Sequence, residues 1–115
     1  MTVQEIAAHI SGVIVEGEKH KIDPVECAFA SDLMSDVLTV NTTKRIMLVT
    51  GLANTQTIRT CEMSEIKVIL FVRGKKVSDE MRELADDNEM VLIETPLSMY
   101  RTCGILFNLG LSPVY

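Results

Sequence analysis

Hydrophobic positions along the chain follow two rhythms: residues spaced three and four apart, and unbroken apolar runs. Val3, Ile6, Ala7 and Ile10 keep the helical spacing. Thr2 with Glu5 three residues on forms a capping-box pattern, and Ser11-Gly12 closes the segment. Val13-Ile14-Val15 predicts a short strand, 17–24 a polar loop, and Val25 to Ala30 a second strand. Ser31 is placed to N-cap a helix carrying Leu33, Val37 and Val40 on one side. From Arg45 the pattern becomes regular. Ile46 to Val49 is an apolar run, followed by Thr50-Gly51 and a predicted helix from Thr55 to Met63. Val68 to Val72 is the next run, followed by Arg73-Gly74-Lys75 and a helix capped by Ser78 with Met81, Leu84 and Ala85 inward. Met90 to Ile93 is a third run, followed by Glu94-Thr95-Pro96 and a helix starting near Ser98. Strands apolar on both faces that alternate with helices of about ten residues predict a buried parallel sheet. The expected fold is α/β, a three-layer α/β/α domain with a mainly parallel sheet that admits one antiparallel edge strand. Right-handed crossovers then bring the strand-to-helix loops to one edge.

Length and composition narrow the possibilities. At 115 residues the chain fits one domain, 1–115, and 47% hydrophobic content suffices for a core without disulfides or a structural metal. The first residues lack a basic segment and an apolar stretch, so no secretory signal is read, and no run approaches the roughly 20 residues that span a bilayer. Cys27, Cys61 and Cys103 are odd in number and set among apolar neighbours, which suits a reducing cytoplasm. A net charge of −5 and 4% aromatic residues argue against nucleic acid as a partner, through both charge and stacking.

Four segments carry a family resemblance. The stretch from Cys27 to Leu38, the segment Leu48-Val49-Thr50-Gly51-Leu52, the segment Phe71-Val72-Arg73-Gly74-Lys75, and Met99 through Gly104 resemble the corresponding parts of DRTGG-domain proteins. Such domains are similar to the amino-terminal, non-catalytic domain of HPr kinase/phosphorylase. Others accompany nucleotide-sensing CBS domains, and stand-alone versions occur near iron hydrogenases. The resemblance implies a regulatory or interaction role with no established chemistry. The pentapeptide that gives the family its name is absent here, and Thr50-Gly51 and Arg73-Gly74 are its nearest fragments.

The candidate chemistry sits on the predicted loop edge. Thr50, Gly51, Asn54 and Gln56 join a buried strand to a helix amino terminus, where unpaired backbone amides favour anions. The same residue types also serve a plain turn, with Asn54 as N-cap. Arg73, Gly74 and Lys75 follow the next strand, with Lys76 beyond them, and Thr95 follows the one after; the cations are suited to a carboxylate or phosphate. No Gly-x-x-x-x-Gly-Lys-Ser/Thr loop occurs, which excludes a Walker-type phosphate site. Asp32 and Asp36 are placed four apart on the second helix, Asp32 in its first turn where the helix dipole favours a carboxylate. Two carboxylates alone are a weak cation site, so no metal is assigned. The cysteines lack the Cys-x-x-Cys spacing, and His9 and His20 have no catalytic partner at a recognisable spacing. No catalytic residue and no cofactor is assigned.

The expected function is a non-catalytic regulatory or adaptor domain for a small ligand, anionic or a nucleotide, or for a protein partner. Two alternatives stand beside it: a small enzyme acting on a phosphorylated metabolite, and an accessory subunit of a hydrogenase or other redox assembly. Along the last helix Met99, Cys103, Leu106 and Phe107 form one apolar stripe that is expected to pack on the sheet. Ile105 and Leu109 fall roughly 120° from its centre. With Gly104 beside them, they predict a homodimer interface, unless Leu111 and the tail 112–115 fold back over that face.

Overall fold

The computed structural model describes all of residues 1–115. The capping box forms as predicted: Thr2 Oγ1 accepts from Glu5 N, the Glu5 carboxylate accepts from Thr2 N, and α1 runs Val3–His9. Strand β1 (Val13–Glu16) follows, then a single 3-10 turn at Glu18–His20. The remaining elements are β2 (Cys27–Ala30), α2 (Met34–Val37), β3 (Ile46–Thr50), α3 (Thr55–Met63), β4 (Val68–Phe71), α4 (Asp79–Asp87), β5 (Val91–Glu94), α5 (Met99–Asn108) and β6 (Ser112–Pro113).

The sheet order is β1-β5-β4-β3-β2-β6, with β1 antiparallel to β5 and every other pair parallel. From β2 to β5 the chain steps along the sheet in one direction, through helices on a single face. It then returns across the opposite face through α5 to reach β6. Only this arrangement keeps each crossover right-handed, because reversing the direction of travel requires changing face.

Period-two alternation in the strands sorts the core into two layers. Met47, Val49, Leu70, Val72 and Ile93 pack under α1 and α5, against Val3, Ile6, Ile10 and Leu106. Leu48, Ile69, Phe71 and Leu92 pack under α2, α3 and α4, against Val37, Ile58, Cys61, Met81 and Ala85. Gly17 turns the chain out of β1 with φ +86°, and a Cβ there would lie 2.5 Å from Met90 O. No helix is long and apolar enough to cross a membrane.

Three local expectations are corrected. Ser31 does not cap the second helix; its hydroxyl accepts from Leu33 N at 3.0 Å in a turn, α2 starts only at Met34, and Leu33 is exposed. Met99, Cys103 and Leu106 of the predicted α5 stripe pack on the core, but the helix is rotated so that Thr102 is buried, Ile105 packs partly against the core, and Phe107 is 69% exposed. The apolar count favoured Phe107, but the buried side of α5 is centred on Thr102 and Leu106, which turns Phe107 to solvent. The tail does not cover α5. Instead it adds β6 beside β2, Val114 N donates to Ala28 O at 3.3 Å, and the Tyr115 ring meets Phe29 edge-on at 5.9 Å.

Candidate functional site

The carboxyl ends of β2, β3, β4 and β5 share one edge, as the parallel register requires. In open α/β sheets a ligand crevice forms where neighbouring strands send their chains to opposite faces. Here that place lies between β4, which leads to α4, and β5, which leads to α5. Backbone bonds cross it: Arg73 N donates to Leu97 O at 2.7 Å and Gly74 N to Thr95 O at 3.0 Å. The open space is displaced toward β3. It is a cleft of about 420 Å³ lined by Asp32, Gly51, Leu52, Val72, Arg73, Lys75 and Met99.

Arg73 and Gly74 have φ +59° and +71°, and Lys75 N donates to Val72 O at 3.3 Å. Positive φ at both central residues makes this a type I′ turn, a geometry that a residue with a Cβ adopts at an energetic cost. The turn carries the Arg73 and Lys75 side chains to the cleft, and neither is ion-paired with a carboxylate. Lys76 instead pairs with Glu94 at 3.4 Å. Helices α3 and α5 begin at this edge with no acidic residue in their first turns, whereas α4 begins with Asp79 and Glu80. The amino end of α5, whose Met99 lines the cleft, thus adds positive potential beside the two cations.

The predicted polar residues are mostly engaged within the fold. Thr50 Oγ1 donates to Asp32 Oδ1 at 2.9 Å and accepts from Leu52 N. Gly51 N donates to the same Asp32 oxygen at 2.6 Å. Asn54 caps α3, its Oδ1 accepting from Thr57 N at 2.9 Å. Thr95 is buried, and its hydroxyl donates to Ile10 O at 2.6 Å. Gln56 is exposed on the first turn of α3, outside the cleft lining. Among the predicted residues Gly51, Arg73 and Lys75 reach the cleft together. Asp32 joins them, against the expectation that it sits in the first turn of α2 with Asp36 on the same face. The end of β3 presents an amide and a hydroxyl needing an acceptor, and an adjacent carboxylate satisfies both. The available signal was position: Ser31-Asp32 directly follows a strand of the same parallel set.

A larger hollow of about 540 Å³ lies at the opposite, amino edge, beside Arg45, Lys67 and His20. Helices end there, so the local dipoles oppose an anion. Lys67 Nζ donates to Asn88 O at 3.0 Å, and His20 Nδ1 lies 3.2 Å from Asp23. The cysteines do not converge: Cys27 and Cys61 are buried in the α2–α4 layer, while Cys103 packs on the other face. Burial pushes the Cys61 thiol up to about 12 and raises Cys27 and Cys103 as well, which keeps them protonated.

No family model matches the chain, and no curated protein is similar to it. Among solved structures it is similar to the CBS and DRTGG domains of the regulatory region of Clostridium perfringens pyrophosphatase, a structure complexed with the activator diadenosine tetraphosphate. The TM-score is 0.73. The fold is DRTGG-like. The match has 16% sequence identity and covers 91% of this chain and 45% of the other, so this chain spans less than half the length of its neighbour. At that identity the likeness concerns the fold, and the DRTGG-like fold is here built without the DRTGG pentapeptide.

Proposed function

We propose that this domain is a regulatory module that binds a small anion in the cleft at the carboxyl edge of its sheet. The observation that carries the reading is the pair of unpaired cations, Arg73 and Lys75, in one cleft with Met99, the first residue of α5. A similar fold in a regulatory region complexed with a polyphosphate activator supports it. A catalytic role is the weaker reading, because the one hydroxyl paired with a carboxylate there, Thr50 with Asp32, is fully buried and already accepts from Leu52 N. An accessory role beside a redox partner, and a cytoplasmic location, rest on the resemblance and on three free cysteines. The test is a thermal-shift screen with phosphorylated metabolites on wild type and on Arg73→Ser/Lys75→Ser. Loss of the ligand-induced shift, with the melting temperature of the free protein unchanged, is expected. A full shift in the double variant refutes the anion site.

A second reading concerns self-association through α5. Tyr100 and Phe107 are 91% and 69% exposed on its outer side, and a Cβ at Gly104 beside them would point into open space. This face, on the far side of α5 from the half-buried Ile105 and Leu109, is the one we assign to a two-fold homodimer. Light scattering on wild type and on Tyr100→Glu/Phe107→Glu decides it. A wild-type monomer at tens of micromolar rejects the dimer.

A further inference from the structure

Asp32 gives the cleft a second chemistry. Its Oδ1 is occupied by Gly51 N and the Thr50 hydroxyl, whereas Oδ2 receives no hydrogen bond from the protein. The same carboxylate lines the cleft with Arg73 and Lys75, yet no ion pair joins it to either. Two donors hold Asp32 in place, so its carboxylate and the two cations share one open cleft without neutralising each other in an ion pair. A bare anion seated on the cations would meet a like charge at Asp32. A ligand that offers a hydroxyl there turns this repulsion into a charge-assisted hydrogen bond.

We infer that the cleft is built for a phosphate monoester carrying hydroxyl groups, a sugar phosphate, with Asp32 Oδ2 accepting from a hydroxyl while Arg73 and Lys75 hold the phosphate. The inference rests on the reading of the cleft as an anion site and adds the ligand class. Charge selects phosphate: two cations against one carboxylate leave a surplus that a zwitterionic amino acid does not neutralise, while a phosphate monoester brings nearly two negative charges. The cleft volume of about 420 Å³ lies in the range of small-molecule sites.

Titration calorimetry with ribose 5-phosphate, methyl phosphate, inorganic phosphate and alanine tests it. In the wild type, ribose 5-phosphate is expected to bind about tenfold tighter than methyl phosphate, which lacks the hydroxyls, as one hydrogen bond to a charged group allows. In Asp32→Asn the amide oxygen keeps the Gly51 and Thr50 donors and the NH2 group faces the cleft. The preference should then collapse, with inorganic phosphate binding tighter than in wild type. Equal wild-type affinity for ribose 5-phosphate and methyl phosphate overturns the inference without any variant and leaves the anion site intact. A preference untouched by Asp32→Asn, or tighter binding of alanine, overturns it too. If folded wild type binds none of the phosphates, the anion site fails and the inference with it.

Discussion

Arg73 occupies a conformation that its side chain disfavours, and this links stability to binding. Its φ of +59° lies in the left-handed region, followed by Gly74 at +71°. An L-residue with a Cβ pays about 1 kcal/mol or more there, whereas asparagine tolerates it and Asn-Gly is the preferred type I′ pair. Arg73 is exposed and has no side-chain hydrogen bond or ion pair, so Arg73→Asn removes no stabilising side-chain contact of that kind. The backbone bonds from residues 73 and 74 to Leu97 O and Thr95 O remain. The expected gain is about 1 kcal/mol. For a domain of this size the unfolding entropy at the midpoint converts that into a rise of about 4 °C. Thermal unfolding followed by circular dichroism measures the gain, and calorimetry with ribose 5-phosphate measures the accompanying loss of affinity. An unchanged or lower melting temperature refutes the strain. A higher one with full affinity shows that the strain is unconnected to binding.

Two further predictions concern the frame of the site. Thr95→Val keeps the shape but removes the buried donor to Ile10 O, so urea unfolding should show a loss of about 1–3 kcal/mol with phosphate binding retained; unchanged stability contradicts that role. The hydrogen bonds from the Thr2 backbone and then its hydroxyl hold the Glu5 carboxyl below its usual range, so its stabilising share is present above the unfolded-state pKa and is lost as pH falls through the folded one. Wild type and Glu5→Gln should therefore differ in melting temperature near neutrality and converge in acid; a constant difference contradicts the linkage.

The fold was legible because its central strands are apolar on both faces. Ile46–Thr50 and Val68–Phe71 could pack only as buried parallel strands, and Asn54, Ser78 and Ser98 each cap the helix that follows. What escaped were features decided by tertiary competition. The position of Asp32 depends on donors at the end of β3, eighteen residues away, which no local pattern reports. The phase of α5 buries Thr102, whose hydroxyl has no partner, and exposes Phe107, an arrangement that a count of apolar residues ranks last. Strand β6 has two residues, one of them proline, and exists because β2 offers an open edge. Of the candidate site, Arg73 and Lys75 could be placed from the strand order alone. That Thr50, Asn54 and Thr95 serve the protein's own backbone became clear only from their partners.

The most direct test of the central claim is a two-dimensional amide NMR titration of the whole chain with ribose 5-phosphate. Shifts concentrated at Asp32, Gly51–Leu52, Arg73–Lys75 and Met99 are expected, because these residues line the carboxyl-edge cleft. Shifts centred instead on His20, Arg45 and Lys67 at the amino edge, or no shifts at all, would contradict the account.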